Sequence, residues 1–319
     1  MSSSSVTQSP EPISVIICTY TPQRWDRLNL AIASVHAQTY HAQEIIIVVD
    51  HHQELFAQAQ RELQKVRVIP NTGKPGLANA RNSGISVACG TLFAFLDDDA
   101  IAEPGWLCQI STALRDPTVL GVGSTVVPIW EDQEPPWFPA EFYWVVGCSY
   151  QGLPHTTVPI RNPIGASMCI RKEIFQTVGG FHSAIGRIGT LPIGCEETEL
   201  SIRTRQHWPD RYFLYLHHTQ VLHHVPKKRA TWRYFCSRCY AEGISKATLA
   251  RIIGTKDTLS SEYAYTLQVL PIGILRNLIL AISKRRFSYV LRALAIILGL
   301  CLTITGYLVK KYASRTPKK

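Results

Sequence analysis

Acidic residues are missing from the carboxyl-terminal part of this chain of 319 residues. No Asp or Glu follows Glu262, whereas ten Lys or Arg residues do. Without those ten, 23 basic residues remain against 23 acidic ones, so the rest of the chain carries no net charge. The formal net charge of +10 therefore belongs to the tail. This favours contact with an anionic membrane surface and argues against a nucleic-acid-binding body.

The cysteines lack the even number and regular spacing of a disulfide framework. There are nine, scattered through apolar stretches such as those around Cys18, Cys169 and Cys301, which favours free thiols in a reducing compartment. The amino-terminal stretch also lacks a basic region followed by an apolar core. Residues 1–12, rich in Ser and Pro, are therefore predicted to be a disordered leader and not a signal peptide.

Two apolar stretches lie in the basic tail. Residues 289–309 are apolar except for Arg292, and their length meets the roughly 20 residues that a membrane-spanning helix needs. Residues 267–282 are also apolar but are interrupted by Pro271 and Arg276, which leaves a second span, a re-entrant segment or an interfacial helix open. We predict that the tail associates with a membrane. A helical pair folded back onto the rest of the protein is the alternative.

An apolar segment of strand length, residues 92–96, ends in the carboxylates Asp97, Asp98 and Asp99. Such a run is typical of a strand buried on both faces of a parallel sheet, and ligands bind at the carboxyl ends of such strands. Because residues two apart in an extended chain share a face, Asp97 and Asp99 can point the same way while Asp98 points elsewhere. A divalent cation, Mn²⁺ or Mg²⁺, bound to substrate phosphates would neutralise this cluster. A solvated acidic turn is the simpler alternative.

Other strand-like runs precede the three acids. Residues 13–18 and 44–49 are rich in β-branched side chains, residues 66–70 form a shorter run, and segments with helical spacing separate them. This alternation predicts an α/β fold with a mostly parallel, doubly wound central sheet flanked by helices. Thr19, Asp50 and Asp97 then follow three strands to one edge, where a nucleotide could lie.

Later segments contain further candidate site residues. Residues 130–163 are rich in Trp, Pro and Tyr, which predicts either an ordered flap over a site or a surface loop packed by its own aromatic side chains. Glu196 and Glu197 follow a glycine-containing loop and begin a predicted helix; helix capping alone does not require them, so we predict a catalytic carboxylate here. Among four nearby histidines we predict His224 as a further metal ligand. The basic residues 227–229 could contact a diphosphate or form a solvated turn.

Together these features resemble the family 2 glycosyltransferases, which have the GT-A fold. The resemblance covers residues 13–230 and rests on motifs that run in the family's order: SVIICTY at 14–20, the strand that ends at Asp50, GLANARN at 76–82, FLDDD at 95–99 and CEETEL at 195–200. It implies transfer of a sugar from a nucleotide donor, usually with inversion at the anomeric carbon. No Gln-x-x-Arg-Trp stretch typical of processive synthases is present, so transfer of one sugar per visit is expected.

The resemblance also implies roles for individual residues. Thr19, Tyr20 and Asp50 would hold the base and ribose, and Arg81 would contact the diphosphate. The complete nucleotide-sugar site is predicted to comprise Thr19, Tyr20, Asp50, Arg81, Asn82, Asp97 and Asp98. The metal ligands are predicted to be Asp99, Asp97 and His224.

On the acceptor side, members of this family commonly carry Glu-Asp, with the Asp as the base. This chain has Glu196 and Glu197 in those places. We expect Glu197 to act as the base, with Glu196 as the alternative. Gly165, Ala166 and Trp137 are predicted to complete the acceptor side.

The predicted organisation has four parts. They are the leader at 1–12, a catalytic domain at 13–230 with a nucleotide-binding half (13–128) and an acceptor half (129–230), a helical extension at 231–262, and basic membrane-associated helices at 263–319. The predicted function is transfer from a nucleotide-sugar, with UDP as the expected nucleotide, to a lipid-linked saccharide or polysaccharide at the cytosolic face of the cell membrane. A sugar-phosphate nucleotidyltransferase and a non-catalytic saccharide-binding scaffold are the alternatives.

Overall fold

The computed structural model describes residues 11–183, 185–186, 193–254 and 263–313. Most of the predicted leader, part of the glycine-containing loop before Glu196, and the last six residues of the chain lie outside these ranges.

The strands of the described residues form one mixed sheet. They are β1 Ile13–Thr19, β2 Glu44–Val49, β3 Arg67–Pro70, β4 Leu92–Asp97, β5 Ala100–Ala102, β6 Val119–Trp130, β7 Val158–Ile160, β8 Ser167–Arg171 and β9 Tyr212–Val225. Their order is β3-β2-β1-β4-β8-β6-β9-β5, with β7 also paired to β9. The first four strands are parallel, β8 runs antiparallel to both of its neighbours, and β6 and β9 are again parallel. The predicted parallel order therefore holds for the first four strands, and the sheet as a whole is mixed.

Helices cover both faces of this sheet. They are α1 Trp25–His36, α2 Gln53–Glu62, α3 Leu77–Val87, α4 Trp106–Ala113, α5 Lys172–Thr177, α6 Glu196–His207, α7 Trp232–Ile253, α8 Leu270–Lys284 and α9 Phe287–Ala313.

Side chains alternate along the strands and so contribute to an apolar cluster on each face of the sheet. In β1, Val15 and Ile17 belong to the cluster that packs against α1, α2 and α4, whereas Ile16 belongs to the cluster against α3, α5 and α6. A strand with apolar residues at every position can bury both faces only when helices lie on each side of the sheet. The β-branched runs of the sequence are therefore explained by the layered fold.

A third apolar cluster joins the aromatic segment 130–163 to the carboxyl-terminal helices. Its buried members include Phe142 of the 3-10 segment Ala140–Val146, Phe138 just before that segment, Phe235 and Cys239 of α7, and Ile296 of α9. This cluster attaches the tail to the rest of the protein. It also brings the aromatic segment over the sheet edge at which β4 ends.

Helices α8 and α9 form a hairpin against the body. Both the segment Tyr265–Lys284 and α9 are long and apolar enough to cross a membrane. Helix α9 crosses α7 at glycines: a Cβ atom at Gly306 would lie 2.1 Å from the Tyr240 carbonyl oxygen, and one at Gly243 would lie 2.0 Å from the Thr303 carbonyl oxygen. Only glycine permits this approach of the two backbones, so the crossing is built into the sequence.

Replacing Gly306 by Ala should force α9 away from α7. We expect a loss of about 1–3 kcal/mol in the free energy of unfolding, as is typical of overpacking, measured as a lower Tm of the full-length protein in detergent. Gly105→Ala is the matched control, because a methyl group there would meet nothing within 4 Å. An unchanged Tm for Gly306→Ala would contradict the close helix crossing.

Candidate active site

A cavity of about 300 Å³ lies between the end of β4, the start of α6, the aromatic segment and the hairpin. Asp97 and His223 line one part of it, and Glu196 and Glu197 line another. The acids at the end of the sheet and the acids at the start of α6 therefore face a shared space.

Asp97, Asp99 and His223 form a cluster that can hold a divalent cation. Each offers one ligand atom, and these atoms lie within 4.8 Å of one another. The His223 Nε2 atom is 3.2 Å from an Asp99 carboxylate oxygen and 3.9 Å from an Asp97 oxygen. Two carboxylates and an imidazole suit Mn²⁺ better than Mg²⁺, which prefers oxygen ligands alone.

The electrostatics of this cluster match its chemistry. Burial would raise the pKa of Asp99, but His223 and Arg24 hold that pKa well below its usual range. Burial would likewise lower the pKa of His223, yet the Asp99 carboxylate raises it to about 10. The other ring nitrogen of His223 lies 3.7 Å from the Cys148 sulfur, which helps to orient the ring. A cation bound here would replace the imidazolium proton as the positive charge that compensates the Asp99 carboxylate.

The structure places His223, and not the predicted His224, beside the acids. Strand β9 alternates, with Val221, His223 and Val225 buried on one side and His224 directed to the other. The backbone N–H of His224 nevertheless donates to the Asp99 carbonyl oxygen at 2.9 Å. The predicted His224 therefore lies on the strand that carries His223, one residue away, and a shift of one residue in a strand reverses the face.

Asp98 lies outside the metal-binding cluster, as expected, but β4 ends at Asp97 and residues 98–99 form a turn, so strand alternation is not the reason. Asp98 is buried and pairs with the Arg24 guanidinium at 2.5 Å, while Arg24 also reaches Asp99 at 3.1 Å. Burial raises the pKa of Asp98 to about 6 although Arg24 opposes the shift. In this structure Asp98 fixes the loop after β1, and its predicted contact with the nucleotide stays a prediction.

Arg81 connects the two acidic groups. Its guanidinium is 3.1 Å from a Glu196 oxygen and 3.6 Å from an Asp97 oxygen, and it donates to the Gly165 carbonyl oxygen at 3.0 Å. The side chain is only 3% exposed. Arg81 thus holds the end of β4, the start of α6 and the predicted acceptor loop, which includes Ala166, in one arrangement.

The two glutamates at the start of α6 differ in their surroundings. Glu196 is buried and paired with Arg81. Glu197 lines the cavity, and its buried Oε2 atom has no hydrogen-bond partner. Burial, followed by the charge of Glu196, raises the pKa of Glu197 to about 8. Of the two, Glu197 is the carboxylate that is available to a bound hydroxyl group.

The backbone before α6 explains why both glutamates reach the cavity. Cys195 adopts a left-handed conformation with φ of 80°, which is unusual for a residue other than glycine. The Gly194 N–H donates to the Ser245 hydroxyl of α7 at 3.2 Å. The third acid of this turn, Glu199, instead pairs with Arg203 one turn later at 2.7 Å. Capping and helix pairing therefore account for Glu199, but they do not account for Glu197.

The predicted nucleotide residues gather at the ends of β1 and β2. Thr19 is buried, and Tyr20 is 40% exposed with the Arg24 guanidinium 5.5 Å from its ring centre. The Asp50 carboxylate accepts from the Asn71 side chain at 2.6 Å and from the Gly76 N–H at 2.8 Å. These side chains share one edge of the sheet, and their contacts with a base or ribose stay predictions.

Two predicted site residues have other partners in the structure. The Asn82 side chain donates to the Phe181 carbonyl oxygen at 2.9 Å and accepts from the Phe181 N–H at 2.8 Å, so both ends of its amide support a loop. Trp137 stacks on Trp232 with ring centres 3.9 Å apart and packs against Phe235. Phe142 of the same segment lines the cavity, and Trp137 is not among the lining residues; an acceptor contact of Trp137 stays a prediction.

Other cavity residues lie outside the predicted site. Of the basic residues 227–229, for which a diphosphate contact and a solvated turn were both open, Arg229 is buried, lines the cavity and lowers the pKa of Asp99 by its charge. Helix α7 contributes Arg238, Glu242 and Lys246, spaced four residues apart on one face. That spacing of alternating charge was visible in the sequence, but nothing in the sequence indicated that the face is buried.

Comparison with known proteins identifies the family. The model of the family described as Glycosyl transferase family 2 matches residues 14–179. The chain belongs to glycosyl transferase family 2. It is 32% identical over 241 residues to the glucosyl-dolichyl phosphate glucuronosyltransferase of Haloferax volcanii, covering 74% of this chain and 77% of that protein.

More distant relatives agree on the fold. Polypeptide N-acetylgalactosaminyltransferase 4 of Mus musculus is 27% identical over 252 residues, which cover 69% of this family 2 chain and 41% of that protein. The mannosyltransferase PcManGT of Pyrobaculum calidifontis, solved with GDP-Man and Mn²⁺, superposes with a TM-score of 0.61 at 16% identity, covering 97% of this chain and 89% of that chain. GalNAc-T7, solved with UDP, GalNAc and Mn²⁺, gives a TM-score of 0.55 at 15% identity, covering 82% and 58%. The predicted GT-A fold is confirmed.

The two adjacent histidines provide a test of the metal cluster. Replacing His223 by Ala removes a ligand atom, so we expect the affinity for Mn²⁺ in the presence of UDP to fall roughly ten- to a hundred-fold. Electron paramagnetic resonance of free Mn²⁺ measures this affinity. His224→Ala is the matched control and should bind as the wild type does. Equal losses in the two variants, or a loss only in His224→Ala, would contradict the assignment.

Proposed function

We propose that the protein is an inverting, metal-dependent glycosyltransferase that moves a sugar from a UDP-sugar to a hydroxyl group of a lipid-linked saccharide. The observation that carries the proposal is the shared cavity, which is lined by Glu197 and by two members of the metal cluster, Asp97 and His223. One group is suited to a nucleotide diphosphate with its cation, and the other to an acceptor hydroxyl. A single-step displacement requires both within reach of the same anomeric carbon.

On the donor side, Asp97, Asp99 and His223 would hold a divalent cation. When bound, such a cation supplies positive charge that stabilises a leaving diphosphate. Arg229, buried beside Asp99, adds a fixed positive charge at the same place. The use of UDP is supported by GalNAc-T7, whose structure contains UDP, and GDP, present as GDP-Man in the PcManGT complex, is the competing nucleotide.

On the acceptor side, Glu197 would remove the proton of the acceptor hydroxyl while the oxygen attacks the anomeric carbon from the face opposite the diphosphate. One displacement at that carbon inverts its configuration, and no covalent intermediate with the protein is needed. Glu196 stays bound to Arg81 and keeps the latter in place. This division of labour is supported by the ion pair of Glu196 with Arg81 and by the raised pKa of Glu197, since the Oε2 atoms of both glutamates are buried without a hydrogen-bond partner.

The acceptor is proposed to be a sugar carried on a polyprenyl phosphate, presented at the cytosolic face of the membrane. The name of the Haloferax volcanii relative contains an acceptor of this kind, so glucosyl-dolichyl phosphate is the first acceptor to test. The hairpin supports the proposal because Leu270 and Leu300 form part of the cavity wall. An apolar lipid chain could therefore lie against this part of the cavity wall.

Substituting Glu197 by Gln tests the base. We expect kcat for transfer to fall by about two to four orders of magnitude, the usual contribution of a positioned base. Binding of UDP with Mn²⁺, measured by calorimetric titration, should be retained. Full transfer activity in Glu197→Gln would move the base to Glu196 or to another group.

The pH profile sharpens this test. Because burial raises the pKa of Glu197 to about 8, the deprotonated base is the minor form at pH 7 and the major form above pH 8. We expect kcat of the wild type to rise between pH 7 and 9 and then to level off. Any residual activity of Glu197→Gln should lack that rise, whereas a rise that persists would show that another group titrates.

A further inference from the structure

Helix α6, which carries Glu196 and Glu197, begins without a cap of its own. The side chain of its N-cap residue, Cys195, makes no capping hydrogen bond, although an N-cap side chain usually accepts from a backbone N–H of the first turn. Cys195 also has a φ of 80°, a costly conformation for a residue with a side chain, which persists only where the surroundings hold it. The start of α6 must therefore be held by another part of the protein.

Helix α7 supplies one of the missing contacts through Ser245. The Gly194 N–H donates to the Ser245 hydroxyl at 3.2 Å, and that hydroxyl donates to the Ala241 carbonyl oxygen of its own helix at 2.9 Å. Ser245 is completely buried. Because the hydrogen of the hydroxyl is used inside α7, its oxygen is oriented to accept from Gly194. Without Ser245, the Gly194 N–H would lose its acceptor at the point where the chain enters α6.

The Cys195 thiol makes a second contact with α7. Its sulfur lies 3.5 Å from a carboxylate oxygen of Glu242. Burial, followed by the charge of Glu242, holds the pKa of this thiol well above its usual range. The thiol therefore keeps its hydrogen and donates it to the carboxylate. Glu242 is itself fixed by the Arg238 guanidinium at 2.7 Å, so the side chain that does not cap α6 connects it to a fixed point on α7.

Helix α7 is held in place independently of α6. Glu242 and Ser245 lie three residues apart and so share one face of the helix. On the neighbouring face, Gly243 packs against the backbone of α9 at Gly306, an approach that leaves no room for a Cβ atom. Because the hairpin fixes α7 from this side, α7 can act as a rigid support for the turn at residues 194–195.

The carboxylate of Glu197 has little freedom to move. A Cβ atom at Gly165 would lie 3.5 Å from the Glu197 Oε1 atom and 3.0 Å from a nitrogen of the Arg81 guanidinium. Glu197 follows Cys195 by only two residues, so a rotation of the turn would move the carboxylate out of this narrow place. A general base must lie within hydrogen-bond reach of the proton that it removes.

We propose that Ser245 and Glu242 are positioning residues for the acceptor base, which hold the turn at residues 194–195 so that the Glu197 carboxylate faces the cavity. This rests on the proposed function, because it assigns these residues a part in the reaction of that site. They act through the backbone of the turn and do not touch the reacting atoms. Loss of either contact should loosen the first turn of α6 and leave the metal cluster, which lies on other elements, unchanged.

Hydrogen exchange of the full-length protein in detergent, read by mass spectrometry, tests the Ser245 contact. In Ser245→Ala, the peptide that covers residues 193–200 should exchange roughly two- to ten-fold faster, the factor expected for loss of one hydrogen bond. Thr248→Ala is the matched control and should exchange as the wild type does, because the Thr248 hydroxyl donates within α7, to the Ile244 carbonyl oxygen at 2.9 Å. Unchanged exchange in Ser245→Ala, or an equal increase in Thr248→Ala, would overturn the proposal.

Two substitutions of Cys195 separate the thiol contact from the strained backbone. Alanine and serine both keep the Cβ atom, and with it the cost of the left-handed conformation, but only serine can donate to Glu242. The same peptide should exchange faster in Cys195→Ala and at the wild-type rate in Cys195→Ser. Equal rates in the two variants would show that Glu242 does not hold the turn, and its assignment as a positioning residue would be wrong.

The infrared carbonyl band of the protonated Glu197 carboxyl group distinguishes positioning from support of the fold. Its absence in Glu197→Gln identifies the band, and in the wild type it should disappear with a midpoint near pH 8. In Ser245→Ala and Cys195→Ala the displaced carboxyl group gains water, so the midpoint should fall towards the usual range of a glutamate. A lower Tm with an unchanged midpoint would show a purely structural role and would contradict the proposal.

Binding and transfer measurements separate this proposal from the proposed function. Ser245→Ala should bind UDP with Mn²⁺ as the wild type does, whereas its kcat for transfer to glucosyl-dolichyl phosphate should fall by up to about a hundred-fold, the effect of a misplaced reacting group. Weaker UDP binding with an unchanged kcat would overturn the positioning role. A wild type that binds no nucleotide would instead overturn the proposed function, and the exchange and infrared measurements would still decide whether Ser245 and Glu242 position Glu197.

Discussion

The arrangement of the site depends on one buried cation. Arg81 is enclosed by the protein and still contacts Asp97, Glu196 and the Gly165 carbonyl oxygen. A guanidinium removed from water is tolerated only when opposite charge and hydrogen bonds compensate for its lost hydration. Arg81 therefore requires that the end of β4 and the start of α6 stay close together. That requirement gives the two acidic groups a common cavity, although they are about a hundred residues apart in the chain.

Arg81, together with Arg24, gives neighbouring carboxylates different surroundings. Glu196 and Asp97 each lie within ion-pair distance of Arg81, and Asp98 is taken up by Arg24. Glu197 is left facing the cavity, where burial favours its neutral form. Adjacent acids with similar intrinsic pKa values thus become suited to different tasks through their surroundings.

The sequence pattern predicted those features that depend on neighbouring residues in the chain. The β-branched runs predicted β1 and β2, and the expected clustering of Asp97 with Asp99 is present in the structure. The structure places His223, and not His224, beside Asp99, and the sequence could not show this because the phase of β9 depends on its long-range pairing with β6, which includes a register shift. The two-residue alternation of side chains does not by itself show which residues face inward in a strand that contains a bulge.

Features that depend on tertiary contacts were beyond the sequence. The mixed sheet follows from where β8 inserts, and the charged face of α7 is covered by residues distant in sequence, as the contacts of Glu242 with Cys195 and of Arg238 with Trp144 show. Trp137 was chosen from a segment rich in aromatic residues, but only the fold decides that it stacks on Trp232 while Phe142 lines the cavity.

The most direct test of this account is a structure of the full-length protein with Mn²⁺ and an intact, non-hydrolysable UDP-sugar. The account predicts Mn²⁺ bound by Asp99 and His223, and an anomeric carbon that faces the Glu197 carboxylate across the cavity. A metal ion bound elsewhere, or a sugar directed away from Glu197, would contradict it.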